Sequence, residues 1–461
     1  MIAAEAAVPT NTMDIFMTSK SLVWSVALAG CVLATGLTTL LTVQAAAPSP
    51  AKPTLDLAKV EAQKGEWSRW RGPNGDGISA EKGLLKEWPS DGPPLLWQAK
   101  GFGSGFSSVA ISGGKIFTLG NKDGKCCVVA ADVKDGEVLW STPFGGGSPN
   151  CTPTVDGNLV FGLTHDGDLA CCDTKTGRLL WSKNFPKDFG GKMHSVWGYS
   201  ESPLVDGNNL IVTPGADKAL LAALNKKTGK VVWQTEVARD QLGRHGGDGA
   251  AYASIVVSHA AGVKQYVTLV GRGLVGVDAA TGKLLWNYSP VANGTANIPT
   301  PIVNGDYIFG SSGYGTGSAL LKIVKNGNKL EAEEEYFLEG NKLQNHHGGM
   351  IRLGDYIFLG HGHNEGFPVC IEMATGKDAW RINRGPGGAS AAIAYADGNL
   401  YFRYQDGTMA LIEANPKEYV LKGKFKIKTH NSESWPHPVI AGGKLYLRDQ
   451  DDLLCYDIKA K

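Results

Sequence analysis

One pattern of three residue types constrains this chain more than any other. Asp132-Val-Lys-Asp-Gly136-Glu-Val-Leu-Trp140 sets it, and it returns as Asp173…Thr176-Gly177…Trp181, Asn225…Thr228-Gly229…Trp233, Asp278…Thr281-Gly282…Trp286 and Glu372…Thr375-Gly376…Trp380. In all five copies the Trp lies eight residues after the acidic or amide residue and four after the Gly. Chance does not hold two offsets fixed five times, and a period of 41 to 53 residues, with a weaker copy at Asn326 between the last two, marks a repeat architecture. Weaker copies surround Asn326-Gly327, Asn415-Pro416 and Asp457.

Upstream of each copy stands a hairpin signal. Examples are Thr154-Val-Asp-Gly-Asn-Leu-Val, Leu204-Val-Asp-Gly-Asn-Asn-Leu, Ile302-Val-Asn-Gly-Asp-Tyr-Ile and Ile351-Arg-Leu-Gly-Asp-Tyr-Ile. Asp-Gly or Asn-Gly between apolar runs is turn chemistry. Each unit therefore reads as strand A, turn, strand B, loop, strand C, the Asp-x-x-Thr-Gly turn, then strand D carrying the Trp. Four strands per unit is one blade of a β-propeller. Outer-strand positions fall at Trp97, Trp140, Trp181, Trp233, Trp286, a degenerate site near Tyr336, Trp380, and another near Phe425. The expectation is an all-β, eight-bladed propeller in which these Trp residues dock the outer strands. Leu453-Leu-Cys-Tyr-Asp457 supplies strand C of the last blade, and Pro94-Leu95-Leu96-Trp97 supplies its strand D. Closure by the two termini removes the open sheet edge.

Composition agrees with this reading. Gly makes up 61 of 461 residues, about twice the usual share, which suits a chain of many tight turns and argues against a mainly helical one. Lys and Arg (45) balance Asp and Glu (44), so no basic excess exists to neutralise a phosphate backbone, and nucleic acid is excluded as a partner class. Ser21 to Val43 carries no charge, follows Lys20 and precedes small residues at Ala45-Ala46-Ala47. It reads as an export signal. An uncleaved membrane anchor and a lipoprotein signal with Cys31 lipidated are the alternatives, and Met17 competes with Met1 as the start. The domain plan is residues 1–45 signal or anchor, 46–64 a Pro- and Ala-containing linker, and 65–461 the propeller with an N-terminal lead-in, its blades starting at about 94. All three readings of the N-terminus place the body outside the cytoplasm, periplasmic or membrane-anchored.

Residues 97–461 resemble the pyrroloquinoline-quinone (PQQ)-like repeat family, whose repeat is Ala-x-Asp-x-x-Thr-Gly-x-x-x-Trp. Its eight-bladed members include the quinoprotein alcohol dehydrogenases and the lipoprotein scaffold subunit of outer-membrane protein assembly. The lead-in Trp67-x-x-Trp70-Arg71-Gly72-Pro73-Asn74-Gly75-Asp76-Gly77 resembles that of exported planctomycete members. The repeat is specific for fold and silent on function, because it stabilises blades with or without a cofactor.

In a propeller the D–A and B–C loops open on one face, and the repeat turns on the other. Chemistry is therefore sought on the first. Its loops hold the candidate ligand-binding residues His194, Trp197, Glu201, Arg244, His245, Asp248, Trp435 and His437, along with His165 and Tyr314. The densest group belongs to one blade: His346 and His347 before strand A, His361 and His363 at the end of strand B. A hairpin centred on Gly354 places His347 opposite His361, and imidazoles so spaced are candidate metal ligands. Only Glu365 offers a nearby acidic partner.

The cysteines have a structural reading. Cys171, Cys370 and Cys455 stand two residues before the motif acid, where Ala130 and Ala223 stand in other units, a small buried strand position. The dehydrogenases of the family carry a vicinal disulfide over the cofactor; Cys126-Cys127 is the better candidate for one here, and a cross-strand disulfide among Cys126, Cys127, Cys151, Cys171 and Cys172 is a further option in an exported chain. The leading functional expectation is a binding or scaffold module, with a protein or small-molecule ligand on the loop-rich face and no cofactor. Membrane association through the N-terminal segment accompanies it. The first alternative is a PQQ- and Ca-dependent dehydrogenase of alcohols or sugars, to which Trp197, Glu201, Arg244 and Trp435 would lend fragments of a site. The second is a metal-dependent enzyme using the His346, His347, His361 and His363 cluster.

Overall fold

The computed structural model describes residues 65–429 and 433–461. The expectations for 1–45 and 46–64 lie outside the described residues. The repeat turn is built by the residues that define it. In the second blade Asp173 Oδ1 accepts from Thr176 N and Thr176 Oγ1, each at 2.8 Å, and from Lys175 N at 3.1 Å. The hydrogen bonds from Thr176 hold the Asp173 carboxyl below its usual pKa. Gly177 then adopts φ 73°, and its N–H returns to Asp173 O at 2.9 Å. Asn225 with Thr228 and Asp278 with Thr281 repeat the arrangement.

The strands that follow form eight antiparallel four-stranded sheets among the described residues, arranged as an eight-bladed propeller. Blade 1 runs Ala110–Ser112, Lys115–Lys122, Lys125–Asp132 and Val138–Gly145; blade 2 runs Thr154–Asp156, Leu159–Leu163, Asp168–Asp173 and Leu179–Asn184. Blades 3 to 6 repeat the order A-B-C-D, with strand A at Leu204–Asp206, Val256–Ser258, Ile302–Asn304 and Met350–Leu353. Blade 7 (Ala391–Ala396, Asn399–Tyr404, Thr408–Glu413, Leu421–Lys426) gains a fifth, parallel strand, Ile78–Ser79. Blade 8 takes strands A to C from Val439–Ala441, Lys444–Asp449 and Asp452–Asp457, and strand D from Leu95–Ala99, so Trp97 pairs with Cys455 as the closure requires.

Trp and small residue face each other across strands C and D: Trp140 opposite Ala130, Trp181 opposite Cys171, Trp233 opposite Ala223, Trp380 opposite Cys370. The seven described cysteines are buried free thiols, Cys126 and Cys127 included, with no disulfide among them. In all eight blades strand D carries one extra residue just before the docking position, a bulge that turns the next side chain onto the sheet face. Tyr336 holds that position in blade 5, as the sequence predicts. In blade 7 the position is Gly423, opposite Leu411, not Phe425, which pairs with Met409. Trp88 of the lead-in fills the vacated space: a Cβ on Gly423 would lie 2.7 Å from Trp88 Cβ.

The lead-in also crosses the axis, where strands A lie innermost. Trp67 exchanges backbone hydrogen bonds with Ile111 of blade 1, and Ser68 O accepts from Val155 N of blade 2. Arg71 Nη2 donates to Met350 O of blade 6. Ile78–Ser79 pairs with Tyr395–Ala396 of blade 7, and Ser79 Oγ donates to Ile440 O of blade 8. Residues 67–79 therefore touch five innermost strands and stopper the channel. A latch completes the ring. The fully buried Arg448 donates to the carbonyls of Phe102, Gly103, Ser107 and Leu119 between blades 8 and 1, and Arg403 of blade 7 reaches Pro436 O and lies 3.8 Å from Asp449.

Candidate ligand-binding cavity

Above the lead-in the channel widens into a cavity of about 620 Å³ that opens on the face of the D–A and B–C loops. Trp70 and Arg71 from the lead-in reach its lining, together with His437, whose ring centroid lies 4.3 Å from that of Trp70. A girdle of hydroxyls lies around the axis at the residue two before strand A. Ser202 Oγ accepts from Thr152 N at 3.1 Å, Ser254 Oγ from Ser202 N at 3.0 Å, and Thr300 Oγ1 from Ser254 N at 3.2 Å. Ser254 and Thr300 face the cavity.

Aromatic rings form two walls. Phe106 and Trp435 lie 4.3 Å apart between centroids. Trp197, Tyr252 and Tyr314 form the second wall, with Trp197 at 6.1 Å from Tyr252 and 6.5 Å from Tyr314. Tyr314 holds φ 58°, a left-handed conformation that costs a non-glycine residue energy. It also supports the imidazole group. His346 Nε2 lies 3.1 Å from Tyr314 Oη and its Nδ1 2.6 Å from Ser390 Oγ, while the rings of His347 and His363 stand 4.4 and 4.5 Å from that of His346. Burial is the main cause that lowers His346 to about 2 and His347 and His437 each to about 3, so these three imidazoles are neutral.

His361 is not part of this group. Leu353 pairs with Tyr356 across a two-residue turn, so the register sets position 347 against 362 and not 361. His361 pairs with Phe367 instead, and its Nδ1 accepts from Gln344 N at 3.2 Å. Among the described residues no three His, Cys, Asp or Glu side chains are grouped to hold a metal ion.

The cavity gathers Trp197, Trp435, His437, His346, His347, His363, His165 and Tyr314 from the sequence candidates and leaves the others out. Arg244 and His245 are exposed away from it, and Asp248 pairs with Arg272. His194 packs on the far side of Tyr252, 5.5 Å between centroids, with burial lowering its pKa to about 4. Glu201 is only 2% exposed: its Oε1 accepts from Thr213 N, Oε2 has no partner, and burial raises its pKa to about 7. Sequence reasoning missed Trp70, Arg71, Phe106 and Tyr252. The lead-in motif was the visible signal for the first two; the others stand in loops without a motif.

A PQQ site needs cations for three carboxylates and a Ca²⁺ held by Glu and Asn. Among the described residues no Asp, Glu or Lys lines the cavity. Arg71, its one cation, donates Nη2 to Asp76 O and Met350 O with Asp76 beside it, and a single guanidinium cannot match three carboxylates. These residues do not fit PQQ with Ca²⁺.

Eight blades, six of them docked by a strand-D Trp, with the last blade completed by Leu95–Ala99, define a PQQ-like repeat β-propeller. The family model described as outer membrane protein assembly factor BamB matches residues 90–184 and 127–382, and the chain belongs to that family. Outer membrane protein assembly factor BamB of Yersinia pestis is 31% identical over 112 residues, 23% of this chain and 28% of that protein. The dehydrogenase subunit of the quinone alcohol dehydrogenase of Gluconobacter oxydans is 30% identical over 217 residues, 42% of this chain and 27% of the relative. The matched stretches thus span little more than a quarter of these relatives. Among solved structures, BamB from Moraxella catarrhalis superposes with a TM-score of 0.56 at 14% identity, covering 79% of this chain and 99% of that one. The quinohemoprotein alcohol dehydrogenase ADHIIG of Pseudomonas putida gives 0.58 at 14% identity, covering 86% and 81%. At such identities the likeness is one of fold.

Proposed function

We propose that this chain is an exported binding module that presents its axial cavity to an uncharged ligand and works without PQQ. Residues 1–45 would direct export or anchor the chain, and 46–64 would tether the propeller. The observation that carries the reading is the lining of the cavity: aromatic rings, neutral imidazoles and hydroxyls, closed below by the lead-in, with no acidic group or lysine among the described lining residues. Such a surface can hold a ligand by stacking and hydrogen bonding. It offers no assembled acid–base pair or metal ligand set. A rigid ring with recognition on its loops also suits a scaffold role, in keeping with relatives named outer membrane protein assembly factor.

The test is a dye-reduction assay of the full chain supplied with PQQ and Ca²⁺, using primary alcohols and aldoses. The expected result is no turnover above the protein-free control. PQQ-dependent turnover above that control would replace the binding module with a dehydrogenase.

A further inference from the structure

The two aromatic walls are placed by blade order. Phe106 precedes strand A of blade 1 and Trp435 that of blade 8; Trp197 and Tyr252 precede strand A of blades 3 and 4, and Tyr314 follows strand B of blade 5. In a ring of eight, blade 8 stands across the axis from blade 4, and blade 1 from blade 5. The walls therefore face each other over the cavity.

Between them, among the described residues, the lining carries polar side chains without an acidic group or lysine, and Arg71 at the floor is its one cation. Asn150 stands on one flank, held by Trp197 O and Ser200 Oγ at 3.0 Å each, and Asn364 and Gln405 on the other, with hydroxyls at the girdle below. Flat apolar faces on two sides and neutral donors and acceptors around the edge match a ring with apolar C–H faces and a hydroxylated rim. A planar ring bearing several carboxylates would find a single guanidinium, Arg71, to meet them, which is costly in a partly buried site. A purely apolar ligand would leave the amides and hydroxyls unpaired.

We propose that the cavity binds a neutral saccharide, with a pyranose ring between the Trp197 wall and the Phe106–Trp435 wall. This rests on the binding-module reading and names its ligand class. Trp197 is the stacking residue most open to test, because it is 42% exposed and its removal leaves the core intact.

The experiment titrates the full chain with maltohexaose, cellohexaose, xylohexaose and chitohexaose, following Trp fluorescence and calorimetric heat. Polygalacturonate is the anionic comparator, and PQQ with Ca²⁺ is added in a separate arm. The expected result is saturable binding of at least one neutral oligosaccharide, weakened about tenfold or more in Trp197→Ala, largely restored in Trp197→Phe, with thermal unfolding unchanged. Silence toward all four neutral probes, tighter binding of polygalacturonate, or binding indifferent to Trp197→Ala each overturns the saccharide. If the PQQ arm stays silent in those cases, the binding-module reading survives. PQQ that binds, displaces the oligosaccharide and supports dye reduction overturns both.

Discussion

Trp88 sits edge-on to Tyr401, 5.6 Å between ring centroids, where other blades place an indole from their own strand D. Trp140 meets Phe117 at 6.0 Å, Trp181 meets Phe161 at 6.1 Å and Trp380 meets Phe358 at 6.1 Å within their own blades. Blade 7 has exchanged sizes: Leu411 stands where five other blades have Ala or Cys, Gly423 stands where six have Trp, and the indole arrives from the lead-in. Trp88→Ala is therefore expected to cost about 3–5 kcal/mol, as for any large buried aromatic. Urea unfolding beside Trp181→Ala checks it. A loss under about 1 kcal/mol would mean that Trp88 merely covers the blade.

The turn glycines answer to two demands that can be separated. A Cβ on Gly177 would come within 2.6 Å of the Trp140 ring of the preceding blade, and Gly229, Gly282 and Gly136 meet Trp181, Trp233 and Trp97 alike. Gly157 in an A–B turn has φ 59° but nothing within 4 Å. Gly157→Ala should cost only the left-handed backbone, about 1–2 kcal/mol. Gly177→Ala should add about 1–3 kcal/mol of overpacking. Equal losses in chemical denaturation would show that the indole yields freely.

Glu201 gives a pH-dependent expectation of known sign. Burial raises its folded pKa from 4.5 to about 7. A raised pKa contributes stability that is complete below the unfolded value and is lost as pH rises through the folded one. Glu201→Gln should match the parent at pH 4 and exceed it by about 3 kcal/mol at pH 8. Unfolding free energies at the two pH values decide this; a variant less stable at pH 8 would reveal an ionised carboxylate with an unseen partner.

His437 works in the opposite direction. Its pKa falls from 6.5 to about 3, by burial first and then by the cations Arg71 and Arg403, while its hydrogen bond to His347 O opposes the shift. Its contribution is complete above pH 6.5 and is lost as pH falls toward 3. His437→Leu should flatten the decline of stability between pH 6.5 and 4 by about one proton, or 1.4 kcal/mol per pH unit. An unchanged slope would place the acid sensitivity elsewhere.

What could be read from the sequence was whatever the repeat enforces locally. The Asp, Gly and Trp offsets are conditions of one turn and one docking position, so strands C and D, the cysteines opposite Trp, and Tyr336 fell into place. Gly423 escaped because a glycine carries no signal of the side chain that replaces it, and that side chain comes from the other end of the chain. The histidine pairing failed by a single register step, since a two-residue turn has its centre between Gly354 and Asp355. Glu201 and Arg244 sit in the right loops, yet only packing decides that one turns inward beneath the cavity and the other outward.

Strand D of the last blade is the first blade strand in the chain. Gln98 and Lys100 reach Asp452 across the whole stretch of chain that forms the intervening seven blades. Loop closure over that separation is the slowest kind of contact to form. Until it forms, blade 8 shows an unpaired edge and Leu95, Leu96 and Trp97 have no sheet to join, so ring closure sets the interval in which the molecule is open to proteases and to its own copies. A ligand that spans blades 8 and 4 would bind only the closed ring and so hold it closed by mass action, lowering the share of molecules in which that edge stands open.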